Sequence, residues 1–211
     1  SVSGQATVTC DGNITNMSYM FNLTHLTSLD LSSFDASNVT NMCSMFEDCL
    51  NLTSLDLSNF NTSNVADMNN MFSKCSNITS INLSNINTSN VTNMVGMFSY
   101  CDILTKLDLS SFDTSNVTDM NQMFLGCSNL ASLDLSDFDT SKVTDMRWMF
   151  NNCCNLTTLD LSSFDTSKVK YMCAMFWGCI SLTTIKGIID MKSCEYCDNM
   201  FADCRKLRDV K

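Results

Sequence analysis

The chain repeats itself every 26 residues over most of its 211 positions. Leu-Asp-Leu-Ser recurs in one register, and one leucine position returns at Leu31, Leu57, Leu83, Leu109, Leu135 and Leu161. Cysteine follows the same step at Cys49, Cys75, Cys101, Cys127, Cys153 and Cys179, and Cys204 comes 25 residues later. A unit this short cannot bury its own apolar face. A fixed period of about 20 to 30 residues therefore predicts a solenoid of stacked copies.

Each unit reads as a strand, a turn, a short helix and a second turn. In residues 52–77, Leu55 and Leu57 alternate with polar residues, which is the pattern of a half-buried strand. After a polar turn, apolar residues fall at i, i+3, i+4 and i+7, namely Met68, Met71, Phe72 and Cys75. That spacing predicts one face of a short helix. The expected fold is an α/β solenoid, a stack of about seven such coils with one parallel sheet.

The period also sets the expected domain boundaries. Residues 1–25 are expected to form an N-terminal cap, and residues 26–206 the repeat solenoid. The coils are predicted to begin at residues 26, 52, 78, 104, 130, 156 and 182. Residues 207–211 would start a further strand or form a C-terminal cap. The chain has no proline, which suits strands whose N–H groups all bond to the next coil.

Composition argues against several classes of function. A net charge of −10 disfavours nucleic acid and anionic membranes as partners. No segment is long and apolar enough to cross a bilayer. The single histidine, His25, lies in the expected cap, and we find no glycine-rich phosphate loop, serine elbow or zinc-protease motif. We therefore expect no enzyme activity, no cofactor, no nucleic-acid partner and no membrane insertion.

The thirteen cysteines do not by themselves indicate a disulfide scaffold. Seven of them occupy the periodic series, where a small buried hydrophobe is needed, so we expect these to be free thiols. Cys194 and Cys197 form a C-x-x-C pair, with Cys173, Cys179 and Cys204 in the same coils. Such a group fits a local disulfide, free thiols or a zinc site. We predict no metal because a second C-x-x-C pair is lacking.

Polar rows run along the repeats. One acidic row falls in the strands, at Asp30, Asp56, Asp108, Asp134 and Asp160, and a second falls in the turns, at Asp35, Asp113, Asp139 and Asp165. Turn hydrogen bonding explains the second row, whereas the first raises the alternative of bound calcium. A threonine row at Thr62, Thr88, Thr114, Thr140 and Thr166 raises the alternative of ice binding, although a role in the turn comes first.

The outward slots of the predicted helix vary from coil to coil, unlike the strand and turn. All six Trp and Tyr residues of the chain lie in this segment of their coils and outside the apolar stripe. A constant frame with variable aromatic slots is typical of a recognition surface, because Trp, Tyr and Arg dominate binding hot spots. The candidate partner-binding residues are Tyr100, Arg147, Trp148, Tyr171, Trp177 and Tyr196. The alternative is that these rings lie across neighbouring coils and serve only packing.

The string Leu-Asp-Leu-Ser-x-Phe-Asp-Thr-Ser-x-Val-Thr-x-Met-x-x-Met-Phe-x-x-Cys, seen at residues 107–127, resembles the 26-residue repeat of bacterial surface proteins related to the BspA-like leucine-rich-repeat adhesins. The resemblance covers about residues 26–204. It implies a leucine-rich-repeat-like, right-handed α/β solenoid. It also implies a secreted, non-catalytic module on the cell surface that adheres to or binds protein of the host extracellular matrix or of another cell surface. The alternatives are a structural spacer that presents another domain, or a metal- or ice-binding array. The sequence leaves the oligomeric state open.

Overall fold

A computed structural model describes residues 5–10 and 12–210 of the chain. Within these residues it contains short strands and turns, and no helix. The strands are β1 (Gln5–Thr7), β2 (Ser28–Asp30), β3 (Ser54–Asp56), β4 (Ser80–Asn82), β5 (Thr158–Asp160), β6 (Thr184–Lys186) and β7 (Asp209–Val210). No helix in this part of the chain has the length and apolarity that crossing a membrane would require.

Strands of successive repeats pair in parallel and in register, as the period predicts. Leu55 pairs with Ile81 and Leu159 with Ile185, each 26 residues further along the chain. The single parallel sheet that we predicted is wrong in detail. The described strands form three separate sheets, β1–β2, β3–β4 and β5–β6–β7. The segments around Leu107 and Leu133 run through the same place in their repeats without strand pairing.

The predicted short helices are wrong, because the Met-Phe segment is a run of tight turns. In residues 42–49, the N–H of Met45 donates to the carbonyl of Met42, and that of Cys49 donates to Phe46. Each turn carries a positive φ at its third residue, +53° at Ser44 and +58° at Asp48, as in a type II turn. A right-handed helix excludes such values. The apolar residues nevertheless have the spacing of a helix, so periodicity alone predicted a helix where the chain forms turns.

Alternate N–H groups of this segment bond to the next repeat instead of to their own. Four donors in the repeat around Phe124 illustrate the pattern: Met120, Gln122, Phe124 and Gly126 donate to Asp145, Arg147, Met149 and Asn151 at 2.7–3.0 Å. The same four-bond ladder runs from Met17, which precedes the first predicted coil, to Gly178 in the sixth. The repeats are therefore joined on this side by backbone hydrogen bonds as regular as those of a sheet.

The core lies between the strands and the turn segments, and like side chains stack on like. Phe21, Phe46, Phe72, Phe98, Phe124, Phe150, Phe176 and Phe201 form one column of parallel rings, with centroids 5.4–5.9 Å apart. The interior members of this column are fully buried, as are the methionines beside them. This placement follows the sequence prediction of a core lined by the Met-Phe rows.

The seven periodic cysteines are free thiols that donate to backbone oxygen in the previous repeat. Cys127 Sγ lies 3.1 Å from the carbonyl oxygen of Phe98, and Cys153 Sγ lies 3.1 Å from that of Phe124. Burial raises the pKa of the Cys127 thiol to about 12, so it stays protonated and able to donate. These thiols thus give each phenylalanine carbonyl a second hydrogen bond, beside the one it accepts from the N–H three residues later.

In most repeats an Asp or Asn side chain closes each of three corners, whereas Tyr171, Lys186 and Tyr196 stand at such positions in the last repeats. In the repeat that begins near residue 104, Oδ1 of Asp108, Asp113 and Asp119 accepts the N–H two residues later at 2.9–3.0 Å. Both acidic rows seen in the sequence therefore serve turns. In the strand row, hydrogen bonds from the backbone N–H and hydroxyl of Ser110 lower the pKa of Asp108.

The threonine row is buried and bonds one repeat to the next. Thr114 Oγ1 donates to the carbonyl of Asp139 at 2.9 Å and accepts the N–H of Asp139 at 2.9 Å. Thr62, Thr88, Thr140 and Thr166 make the same pair of bonds and are at most 3 % exposed. A buried row offers no flat threonine surface to ice, so that alternative is wrong for these residues.

Candidate binding surface

The six candidate residues all lie in or beside the turn segments, but they form two different arrangements. Arg147, Tyr171 and Tyr196 belong to an arginine cluster, which also contains Asp145. Tyr100, Trp148 and Trp177 line an open hollow together with Gln122, Leu125, Asn151 and Asn152. We call this hollow the aromatic depression. Trp148 also lies beside Arg147, so it connects the two groups.

The arginine cluster is satisfied within the chain. Arg147 Nε donates to Asp145 Oδ2 at 2.9 Å, and this carboxylate raises the pKa of Arg147. The guanidinium carbon lies 5.1 Å from the centroid of the Tyr171 ring and 5.5 Å from that of Trp148, within cation–π range. Tyr171 in turn stacks on Tyr196 at 5.5 Å. The contacts of Tyr171 with Arg147 and Tyr196 run from one repeat to the next, so the packing interpretation fits Arg147, Tyr171 and Tyr196.

The aromatic depression differs because its rings remain open to solvent. Tyr100 is 44 % exposed and Trp177 is 42 % exposed, while Trp148 is half-buried between them. No lining residue carries a charge. Tyr100 lies across Gly126, where an added Cβ would be 2.7 Å from the ring, so only glycine there permits the ring to lie across the next repeat. The result is a shallow apolar surface rimmed by amide groups.

Two of these aromatic residues have an unfavourable backbone conformation. Tyr100 has a φ of +56° and Trp148 a φ of +55°, a region that bulky residues rarely adopt. The equivalent slots of other repeats hold residues that tolerate it better, such as Asn70, Gly96 and Asn152. A left-handed residue costs about 1–2 kcal/mol. The inter-repeat bond from Trp148 N–H to the Cys173 carbonyl, at 3.0 Å, helps to hold this conformation.

A third polar row, at the entry to each turn segment, was missed by sequence reasoning. Asn41, Asp67, Asn93, Asp119 and Asp145 pair from repeat to repeat at this position, and Tyr171 and Tyr196 continue the row. Burial raises the pKa of Asp119, and the nearby Asp145 adds to that effect. The signal was present in the sequence, since an Asn or Asp stands immediately before the first Met of these five turn segments. This row positions Asp145, and through it Arg147.

The zinc and calcium sites that the sequence raised as alternatives involve cysteine and carboxylate side chains of the described residues. Among the described residues, His, Cys, Asp and Glu side chains form no group of three or more arranged to hold a metal ion. Cys194 and Cys197 are free, and Cys194 Sγ lies 3.4 Å from the Tyr196 carbonyl oxygen. The strand-row carboxylates are exposed, and Asp160 pairs with Lys186 at 3.4 Å. The calcium and zinc alternatives gain no support from this geometry.

Two solved structures are similar in shape over nearly the whole chain. A leucine-rich repeat protein from Bacteroides ovatus matches with a TM-score of 0.48 and 15 % identity, covering 97 % of this chain and 60 % of that one. A TLR13–ssRNA13 complex matches with a TM-score of 0.32 and 18 % identity, covering 94 % and 38 %. This chain thus spans about three fifths of the first structure's length. A search of curated protein sequences found no significant match.

The sequence itself matches one family model twice. The model is described as Mycoplasma protein of unknown function, DUF285, and it matches residues 10–107 and 103–210. These two matches meet in the fourth repeat and together cover nearly all of the chain. A double match of this kind is what a repeat family produces, because consecutive repeats are copies of one unit. The chain therefore belongs to the DUF285 family.

Proposed function

We propose that this chain is a non-catalytic, cell-surface module that binds protein through the aromatic depression. The observation that carries the proposal is the placement of Tyr100, Trp148 and Trp177 around one open, uncharged hollow. Exposed aromatic side chains grouped on a rigid support are the usual anchors of protein interfaces. In this proposal the repeats form a right-handed solenoid of leucine-rich-repeat type that serves as the support.

Backbone strain supports the same surface. Tyr100 and Trp148 occupy left-handed turn positions where asparagine or glycine would be more stable. Packing gives only a partial reason to keep Tyr100, since 44 % of it is exposed. Two such residues that line one open hollow together with Trp177 are better explained by a partner. The sequence resemblance to surface proteins supports a partner outside the cell, on a neighbouring cell or in the extracellular matrix.

The test is binding to a panel of purified extracellular-matrix and cell-surface proteins, measured by surface plasmon resonance. Trp148→Asn, Tyr100→Asn and Trp177→Ala each install a residue that another repeat already has in the same slot, namely Asn70, Asn152 and Ala202. The fold should therefore be kept, and the affinity for a bound partner should fall at least tenfold, about 1.4 kcal/mol. Unchanged affinity in all three variants would contradict the proposal.

Tyr19→Asn is the matched control. Tyr19 occupies the same turn position as Trp148, with a φ of +60° and 59 % exposure, but it precedes the first coil and does not line the aromatic depression. Its replacement should leave binding unchanged. If no member of the panel binds and the three variants behave like the parent chain, the alternative of a structural spacer is favoured.

A further inference from the structure

The aromatic depression lies inside the stack, with described repeats on both sides of it. Tyr100 belongs to the third predicted coil and Trp177 to the sixth, so the hollow spans three steps of the stack. The rings of the core column beneath it show that each of these steps is 5.6–5.9 Å. The hollow is therefore long enough for a short chain of linked rings, and not only for a single side chain.

Glycine in two outward slots shapes this surface. Tyr100 lies over Gly126, and Asn152 lies over Gly178, in each case where the Cβ of any other residue would be. Both glycines have a φ of +72°. The Tyr100 ring and the Asn152 amide thus extend along the stack toward the following repeat, which places an aromatic group and an amide group along the same hollow.

Two amide side chains of the depression have no hydrogen-bond partner among the described residues. They are Gln122, which is half-buried, and Asn152, which is exposed. Amides on another side of the stack are used within the chain, since Nδ2 of Asn90 and of Asn116 donates to a serine carbonyl of the previous repeat at 2.7 Å. Each free amide supplies both a donor and an acceptor beside the exposed rings.

The depression selects against charged ligands. None of its lining residues carries a charge. Arg147, which lies beside Trp148, is already paired with Asp145 at 2.9 Å. The chain as a whole has a net charge of −10, which repels anionic groups. A ligand of this hollow is therefore neutral.

A neutral sugar ring has both kinds of surface that the hollow requires. One face of a pyranose consists of C–H groups, which stack on the electron-rich faces of tryptophan and tyrosine. Its rim carries hydroxyl groups, which donate and accept hydrogen bonds as the amides do. A purely apolar partner group would instead cover Gln122 and Asn152 and leave their polar atoms without partners, which costs binding free energy.

We propose that the aromatic depression binds a neutral oligosaccharide, carried as a glycan by the extracellular protein partner. This inference rests on the proposed function and narrows it to one chemical class of contact. In this complex Tyr100, Trp148 and Trp177 stack on sugar rings. Gln122 and Asn152 form hydrogen bonds with the hydroxyl groups.

Tryptophan fluorescence tests this inference, because both tryptophans of the chain line the depression. The 211-residue chain is first screened on an array of neutral, sialylated and sulfated glycans. The neutral glycan that gives the strongest signal is then titrated in solution, where the fluorescence change should saturate. Deglycosylation of a panel protein that binds should remove its binding.

Variants of the two amides separate a glycan from an apolar protein contact. Gln122→Ala and Asn152→Gly install residues that other repeats hold in the same slots, Ala174 and Gly178. Each variant should weaken glycan binding about fivefold, the effect of one lost hydrogen bond. Asn70→Ala is the matched control, since Asn70 occupies the slot of Gln122 two repeats earlier and lies outside the depression. Circular dichroism that matches the parent chain establishes that each variant is folded.

Three results would overturn the inference. The first is an array on which no neutral glycan binds, and the second is binding that both amide variants leave unchanged. The third is a panel protein that binds equally well after deglycosylation while Trp148→Asn still weakens it, which would leave the proposed function intact. A saturable neutral glycan without any protein partner in the panel would uphold the glycan site and remove the support for protein binding.

Discussion

Replacing Thr114 by valine removes one hydroxyl from the buried row that joins the repeats, with little change in shape. The hydroxyl makes two 2.9 Å bonds, one to the carbonyl and one from the N–H of Asp139. A buried hydrogen bond contributes about 1 kcal/mol net, so losing both should destabilise the fold by about 2 kcal/mol. With an m-value of about 3 kcal/mol/M in urea, the unfolding midpoint should fall by roughly 0.7 M.

The first full repeat supplies the reverse experiment. Ala36 occupies the equivalent buried slot, and the backbone N–H and carbonyl of Asn61 face it without the threonine bonds seen elsewhere. Ala36→Thr should therefore raise the stability by about 1 kcal/mol. Urea unfolding followed by circular dichroism measures both variants. If Thr114→Val leaves the midpoint unchanged and Ala36→Thr lowers it, the threonine row does not join the repeats as described.

Three further predictions concern the core, the acidic corners and the thiols. Phe124→Ala should destabilise the chain by about 3–5 kcal/mol in the same urea assay, because it empties one place in the ring column. The lowered pKa of Asp108 means that its stabilising contribution is present above the unfolded-state value of about 3.9 and is lost as the pH falls through the folded value. Asp108→Asn keeps the acceptor, as Asn82 does, and should lose less stability between neutral and acid pH than the parent, by urea midpoint. Iodoacetamide followed by mass spectrometry should label the exposed Cys197 and spare Cys127 in the folded chain; equal labelling would show that the periodic thiols are not buried.

The repeat and its core could be read from the sequence because identical spacing places identical residues in line. The register of the pairings, the Met-Phe core and the free periodic thiols all follow from the step of 26. The local structure of the Met-Phe segment did not follow, since spacing of i, i+3, i+4 and i+7 fits a helix and a chain of turns equally well. Gly96, Gly126 and Gly178, with Asn70 and Asn152, mark the positive-φ slots and were the overlooked signal.

The candidate surface was only partly predictable. Its residues stand out as variable aromatic slots on a constant frame, but the sequence does not say which ring lies against its own chain. Arg147 packs against the chain because it pairs with Asp145 of its own repeat. Tyr171 does so because it stacks on Tyr196 of the next repeat. Tyr100 and Trp177 stay 44 % and 42 % exposed, and Tyr100 lies across Gly126 of the next repeat. The sequence does not show these contacts, because they depend on how each side chain is oriented toward the neighbouring repeat.

Amide hydrogen exchange measured by NMR tests the central claim most directly, which is that alternate N–H groups of the Met-Phe turns bond to the following repeat. Under conditions where the chain is monomeric, Met172, Ala174, Phe176 and Gly178 should exchange slowly, together with their equivalents in the earlier repeats. The corresponding donors Cys197, Asn199, Phe201 and Asp203 should exchange rapidly in this 211-residue chain, because none of its described residues accepts a hydrogen bond from them. Equal protection of both sets, or helical protection within each segment, would contradict the account.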